Sequence, residues 1–298
     1  MKSLKRRCRR LALTLVAACL LSAPAVAHPG SGIVVDRRGR IYFVDTGAGV
    51  WKIDTRGTLT RVPGPAFHWM TIDVDDRFGK GRLPSGPDWE IARSGSDPTL
   101  LLASDFPIAI GRDGDLHYPA PGRSGLRILR LTPTGQTSEL ASLPATTANV
   151  PLSHINGLAA GPDGSLYYTE NNAIRRITAQ GQVSTVVMDI APTGCASIPG
   201  NAANDPLFRG LDVDARGTVY VAASGCGSVL KVAPDRKVTT LVQLQSPWSP
   251  TAVALSGGDL YVLEYLHTES ENRRAWLPRV RKISPDGKSA IIATVDRR

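Results

Sequence analysis

The chain has 298 residues, 42% hydrophobic and 20% charged, with 35 Lys and Arg against 26 Asp and Glu and a net charge of +9. Six of the basic residues (Lys2, Lys5, Arg6, Arg7, Arg9, Arg10) stand at the N-terminus among no acids, so the balance beyond residue 27 is 29 against 26, or +3. That remainder holds no basic stripe with interleaved aromatics, which excludes a nucleic-acid partner, and its ~270 residues suffice for one large domain with a well-buried core.

Residues 1–27, MKSLKRRCRRLALTLVAACLLSAPAVA, have a basic start, a short apolar core and Ala-x-Ala at Ala25 to Ala27. This predicts a secretory signal with the mature chain starting at His28, and hence a periplasmic or secreted location. The apolar run is too short for a transmembrane span. Val16-Ala-Ala-Cys19 is similar to a bacterial lipobox, and the alternative is a lipoprotein anchored at Cys19.

From residue 28 a four-part phrase recurs. Its first copy (28–64) reads GIVVD, then IYFVD behind Gly39, then VWKIDTRG and LTRV. The second (65–104) is degenerate: a first strand near Trp69 to Val74, a turn DVDDRFG closed by Gly79, and WEIAR and TLLLAS as outer strands. The third (105–145) has IAIGRD, a weak second run behind Gly114, LRILRLTPTG and TSELASL. The fourth (152–190) is the clearest: GLAAGPD, SLYYTE behind Gly164, IRRITAQG and VSTVV. The fifth (206–245) and sixth (248–298) repeat it around Gly217 and Gly258. Alternating apolar runs punctuated by Gly, Asp, Asn and Pro are short antiparallel strands. Four of them per unit, repeated at this spacing, predict an all-β, six-bladed β-propeller of four-stranded blades, monomeric and forming a single domain from 28 to 298. Each end supplies a whole blade, so the ring is predicted to close by packing, without a shared strand. Two cysteines lie beyond the leader, Cys195 and Cys226, both in loops on one face; in an exported chain they predict a disulfide.

Propeller geometry then ranks the side chains. The Asp-x-x-Gly turns at Asp36, Asp76 and Asp214 fall on one rim and are read as turn chemistry. The other rim, the mouth of the channel, receives the starts of the innermost strands and the loops between second and third strands. The residue six after each repeat glycine falls there: Asp45, Ala120, Glu170, Ala223 and Glu264. Strand starts add Asn156, Arg209, His28, His68 and His154; the longest loop adds His267, Glu269 and Glu271. Carboxylates, an amide and imidazoles at a concave mouth are the donor set of a divalent-cation site, oxygen-rich sets suiting calcium or magnesium and His-rich sets zinc. Asn156, Glu170, Glu264 and Asp45 are the metal candidates. Glu170, Glu264 and His154 are the candidate bases, and Arg209 the group that would stabilise developing negative charge.

The stretch HINGLAAGPDGSLYYTENNAIRRITAQGQVSTVV resembles an NHL-type blade and is similar to blades of the senescence-marker-protein/gluconolactonase superfamily, through its Asn-Gly-Leu start and Pro-Asp-Gly turn. That resemblance implies a divalent metal in the channel held by a Glu at the first blade, an Asn in such an Asn-Gly pair, and a later Asp. Asn156 matches the Asn; Ser31 and Arg209 stand at the other two positions. The amidating lyases for hydroxyglycine peptides resemble the chain in using strand-start histidines for zinc, as His28, His68 and His154 would. The streptogramin B lyases have similar Gly-Pro-Asp-Gly and Thr-Glu-Asn phrases; their Glu-x-His pattern has Asn172 after Glu170 here, and a loose echo in Glu264 with His267. The resulting expectation is a propeller that binds a small-molecule, glycan or peptide ligand at the channel mouth with a divalent metal, acting as a metal-assisted, lactonase-like hydrolase or a lyase. The alternative is a non-catalytic propeller binding a protein, glycan or cell-envelope component.

Overall fold

A computed structural model describes residues 29–46, 48–62, 67–75, 77–80, 89–93, 100–123, 125–144, 155–170, 172–190, 192, 195, 205–266 and 276–296. They form successive antiparallel sheets. The first contains β1 (Ile33–Val35), β2 (Ile41–Asp45), β3 (Gly49–Ile53) and β4 (Leu59–Val62). The second contains β5 (Trp69–Asp73), β6 (Trp89–Arg93) and β7 (Leu100–Ser104). The third has β8 (Ala109–Ile110), β9 (Leu116–Gly122), β10 (Gly125–Leu131) and β11 (Thr137–Pro144); the fourth has β12 (Ile155–Ala160), β13 (Leu166–Glu170), β14 (Ala173–Ile177) and β15 (Val183–Val187). The fifth has β16 (Phe208–Val213), β17 (Val219–Ala223), β18 (Ser228–Val232) and β19 (Val238–Gln243); the sixth has β20 (Trp248–Ser256), β21 (Asp259–Leu266), β22 (Pro278–Ile283) and β23 (Ser289–Thr294).

The first strands touch in a cycle: β1 meets β5, β5 meets β8, β8 meets β12, β12 meets β16, β16 meets β20, and β20 returns to β1. They line a central channel, and each sheet radiates outward in strand order. Burial follows radius. The second strand β2 is buried along its whole length, whereas the outermost β19 is almost wholly exposed or half-buried. A second strand is covered on both faces by neighbouring sheets, which is why IYFVD and VYVAA read as continuous apolar runs. The repeat glycines close the hairpins between first and second strands. Gly39, Gly114, Gly164, Gly217 and Gly258 all have φ between +77° and +89°, a region costly for any side chain.

The second sheet departs from the predicted blade. It has three strands among the described residues, in the order β5-β7-β6, so Leu100–Ser104 is the middle strand and not an outer one. Gly79 closes no hairpin turn either: it sits in a one-turn helix, α1 (Arg77–Lys80). The cause is local. Asp73 accepts a hydrogen bond from Phe78 N–H at 2.7 Å, and the Phe78 ring is buried against Trp69, Leu102 and Leu116. That anchor turns the chain away after β5, and β7 fills the place beside it. The fold is therefore a propeller of five four-stranded blades and one three-stranded sheet.

Ring closure uses no shared strand. β1 and β23 stay in their own sheets, and one core cluster unites the two ends through Phe43, Val44, Leu263, Tyr265, Val280 and Val295. Tyr265 pegs the seam: its hydroxyl donates to the Val44 carbonyl at 2.8 Å and accepts from Thr46 N–H at 3.2 Å. A disulfide joins Cys195 and Cys226, the latter in a 3-10 turn (Ser224–Cys226) directly after β17. No helix among the described residues is long and apolar enough to cross a membrane.

Candidate functional site

Four polar residues stand where inner strands begin. Strands β12, β16 and β20 each bulge at the mouth end, between Ile155 and Gly157, between Phe208 and Leu211, and between Pro250 and Ala252. These bulges carry Asn156, Arg209 and Thr251. Ser31, just ahead of β1, is the equivalent in the first sheet and lines the channel. Each is followed by a small residue: Gly32, Gly157, Gly210 or Ala252. Packing demands this. A Cβ on Gly157 would sit 2.5 Å from the Arg209 carbonyl, and one on Gly210 would sit 2.8 Å from Ala252 Cβ. Bulges at such rims re-aim side chains, here at the channel mouth.

Arg209 is the dominant charge in this ring. It is 9% exposed, and its Nη1 lies 3.5 Å from the Pro29 carbonyl in the first sheet's leading segment. The guanidinium thus spans the sector that β20 occupies. Thr169 Oγ1 donates to the Arg209 carbonyl at 3.0 Å and fixes the bulge. Burial lowers the Arg209 pKa to about 10, so the group stays a cation at neutral pH. Opposite, Trp69 donates its indole N–H to the Asn156 carbonyl at 3.0 Å, reaching from the second sheet to the fourth. Below the mouth lies a cavity of about 250 Å³, walled mainly by aliphatic residues of the inner strands. Its one acidic wall residue is Asp212 on β16, which accepts from Leu255 N–H at 2.7 Å and Val213 N–H at 2.8 Å. Enclosure by protein pushes this carboxyl up to about 6, partly offset by those two donors.

His68 stands beside Ser31, whose N–H donates to the His68 carbonyl at 2.6 Å. Asp105 Oδ1 lies 2.7 Å from His68 Nδ1, a carboxylate–imidazole pair that fixes the ring.

The structure does not bring the predicted acids together. Glu264 is fully buried between Arg279 and Arg281 on β22, with Nε–O distances of 2.5 Å to each, and Arg279 also stacks 3.7 Å above the Trp248 ring. It is not the last residue of its strand, because β21 runs on to Leu266. Glu170 does end β13, and it pairs with Arg175 of its own sheet at 3.0 Å. Asp45 ends β2 fully buried and accepts from Trp51 Nε1 at 2.9 Å. Each acid is answered by the third strand of its own blade, so none is directed with the others at the axis. Asn156 and Arg209 stand at the bulged starts of adjacent inner strands; His28, His154, His267, Glu269 and Glu271 lie outside the described residues. On the opposite rim, Asp36 and Asp214 each accept two backbone N–H groups of their own turns, as turn residues do.

A divalent cation needs several convergent oxygen or nitrogen ligands. Among the described residues no three His, Cys, Asp or Glu side chains form such a group, and the mouth carries the Arg209 cation. Asp45, Glu170 and Glu264 are each committed to a partner in their own blade, and no chemistry is derived through a metal.

Thr251, Trp69, Asp105 and Asp212 escape a reading based on position after the repeat glycine. The signal that finds Thr251 is the pairing of a polar residue with a small one at inner-strand starts, seen in Ser31-Gly32, Asn156-Gly157, Arg209-Gly210 and Thr251-Ala252.

Comparison with known proteins agrees with this architecture. Residues 127–265 match the family described as SMP-30/Gluconolactonase/LRE-like region. The chain is 34% identical over 127 residues to 6-deoxy-6-sulfogluconolactonase of Pseudomonas putida, covering 40% of each chain. It is 23% identical over 251 residues to Teneurin-3 of Mus musculus, covering 74% of this chain and 8% of that protein. The matches thus span well under two thirds of either relative. Among solved structures, a luciferin-regenerating enzyme aligns with a TM-score of 0.54 at 14% identity, over 87% of this chain and 93% of that one. The calcium-binding protein regucalcin of Agrobacterium tumefaciens gives 0.51 at 15% identity, over 78% and 81%. Virginiamycin B lyase of Staphylococcus aureus gives 0.50 at 19% identity, over 91% and 85%. At these identities the structures share the fold alone. The radial sheets and the closed ring of inner strands make this chain a β-propeller, and over residues 127–265 it is similar to the SMP-30/gluconolactonase-like family.

Proposed function

We propose that the chain is an exported propeller that binds a small polar ligand at the mouth of its channel and hydrolyses a lactone or similar ester there. One observation carries this reading: Ser31 lines a largely aliphatic cavity walled by the inner strands, and three of those strands carry Asn156, Arg209 and Thr251 at their bulged starts. A few placed polar groups over an apolar concavity are what small-ligand sites offer. The family match and the partial likeness to 6-deoxy-6-sulfogluconolactonase support a lactone as substrate class. The leader sequence and the Cys195–Cys226 disulfide support an extracytoplasmic location.

In this reading the base is His68 and not the buried acids. Glu170 and Glu264 are held in ion pairs with arginines, whereas His68 has its Nδ1 fixed by Asp105. His68 would take a proton from the water that attacks the carbonyl and return it to the ring oxygen as the acyl C–O bond breaks, and Asp105 would hold the ring in the required tautomer.

The test is proton release from D-glucono-1,5-lactone by chelator-treated protein. Wild type is expected to turn over, His68→Gln to lose roughly 10²-fold or more in kcat, and Asp105→Asn to fall between them. Turnover abolished by chelation and restored by calcium, magnesium or zinc would instead return the metal-dependent mechanism. Ligand binding without turnover would make the chain a non-catalytic binding propeller, a reading that the arginine-paired acids also suit.

A further inference from the structure

We propose that the rim opposite the mouth carries a second binding site, a cleft between the fourth and fifth sheets that takes a phosphoryl group through Arg216 and Arg236. The site is separate from the channel and does not depend on the function proposed there.

The cleft has a volume of about 440 Å³. Its walls come from the hairpin turns of the two blades and from the outer strands of the fourth. Three arginines line it: Arg176 on β14, Arg216 in the turn between β16 and β17, and Arg236 in the turn between β18 and β19. One acid lines it, Asp163, and that acid is committed. Arg176 pairs with it, and Ser165 donates to it from both N–H and Oγ–H. The guanidiniums of Arg216 and Arg236 make no hydrogen bond or ion pair among the described residues. Asp214 and Asp235, their nearest acids in sequence, do not line the cleft and accept backbone N–H groups of their own turns. Two positive charges thus stand at one cleft with no acid there to answer them.

The backbone of Arg236 is a second, independent observation. The turns after the third strands share one geometry. Gly57, Gly135, Gly181 and Gly287 have φ between +82° and +88°, and each donates its N–H to the carbonyl three residues back. In the fifth sheet that place is held by Arg236 at φ +68°, with the same bond to Ala233. A side chain is costly in this region, and glycine avoids the cost. Of the five turns, the one that accepts the cost is the one that lines the cleft. Strain of this kind gathers at functional sites.

The charge count selects the ligand. A phosphate monoester carries about −1.5 to −2 at neutral pH, so one phosphoryl group answers both arginines. Its oxygens also suit the planar fork of a guanidinium, and such charge-assisted bonds are the strong ones. A single carboxylate would leave one of the two charges unanswered. The group could belong to an organic ester or be inorganic phosphate.

The experiment is calorimetric titration of the full chain at fixed ionic strength with glycerol 3-phosphate, with inorganic phosphate, and with glycerol as the uncharged probe. Both phosphates are expected to bind and glycerol not to. Arg236→Gly should weaken phosphate binding about tenfold, the equivalent of one charge-assisted hydrogen bond. It should also keep or raise the thermal midpoint, because it restores the residue of the four sister turns. Arg216→Gln should weaken binding to a similar degree. Arg38→Gln, at the matching turn position of the first sheet and outside the cleft, should leave it unchanged. Tighter binding of the ester would support a phosphorylated organic ligand, and equal binding would support inorganic phosphate. Absence of phosphate binding at millimolar concentration would overturn the site. So would binding that survives both Arg236→Gly and Arg216→Gln, or that falls equally in Arg38→Gln.

Discussion

Replacing Glu264 with Gln separates a structural acid from a metal ligand. In the folded chain its carboxylate is fully buried and meets Arg279 and Arg281 at 2.5 Å each, while Arg279 lies 3.7 Å over Trp248. Glutamine keeps the shape and removes the charge, leaving two guanidiniums, each with about one sixth of its side chain exposed, without their counter-ion. Removing one partner of a buried pair costs about 3–5 kcal/mol, because the remaining charge stays desolvated. A well-packed apolar replacement of the whole trio would cost far less, so the loss belongs to the orphaned arginines. The assay is urea unfolding at pH 7 of wild type and E264Q, each with and without chelator. The expected result is a midpoint shift worth about 3–5 kcal/mol, identical in both conditions. A loss under about 1 kcal/mol, or one that disappears in chelator, would refute the ion-pair account and restore Glu264 as a candidate ligand.

Tyr265→Phe should destabilise the chain by about 1–3 kcal/mol, since the Val44 carbonyl and Thr46 N–H lose their shared phenol at the seam; native-state hydrogen exchange should show β1 and β2 opening first. A neutral result would mean that closure does not depend on that peg. Asp212 gives a pH dependence of defined sign. Its carboxyl titrates at about 6 in the fold against an ordinary 3.8, so between those values the folded state holds a proton that the unfolded chain has lost. Stability should therefore be highest below about pH 4 with respect to this group and fall as pH rises through about 6, by up to roughly 3 kcal/mol. Thermal melts at pH 4.5 and 7.5 should show a smaller drop in Asp212→Asn; an unchanged drop would remove Asp212 as its cause.

The repeat was legible because it is local chemistry. Each of these hairpins closes on a glycine at positive φ, and from Gly39 to Gly217 an Asp or a Gly opens the turn three residues earlier. The ring without a shared strand followed from the same count. The second sheet departs from the pattern because the segment that redirects it, anchored by Phe78 N–H on Asp73, ends in Asp76 to Gly79 and looks in sequence like one more Asp-x-x-Gly turn. The partners of the candidate acids were hidden for a different reason. Position along a second strand says which rim an acid reaches, but not what faces it across the ladder. Glu264 opposes Arg279, and Glu170 lies within reach of Arg175, only once register is known. Thr251 was hidden because a threonine between Pro250 and Ala252 carries no charge or metal chemistry to flag it. Arg209 was visible, and it was the residue at odds with a cation.

The order β5-β7-β6 has a consequence for how the ring assembles. In the other sheets the first two strands zip as hairpins, as when Val35 meets Ile41 or Ser256 meets Asp259. In the second, Asp73 meets Leu100 across a longer loop, so the pairing of the inner strand carries a larger closure entropy than the hairpins elsewhere. Because β5 is also the bridge between β1 and β8, that costlier pairing is one on which the circle depends.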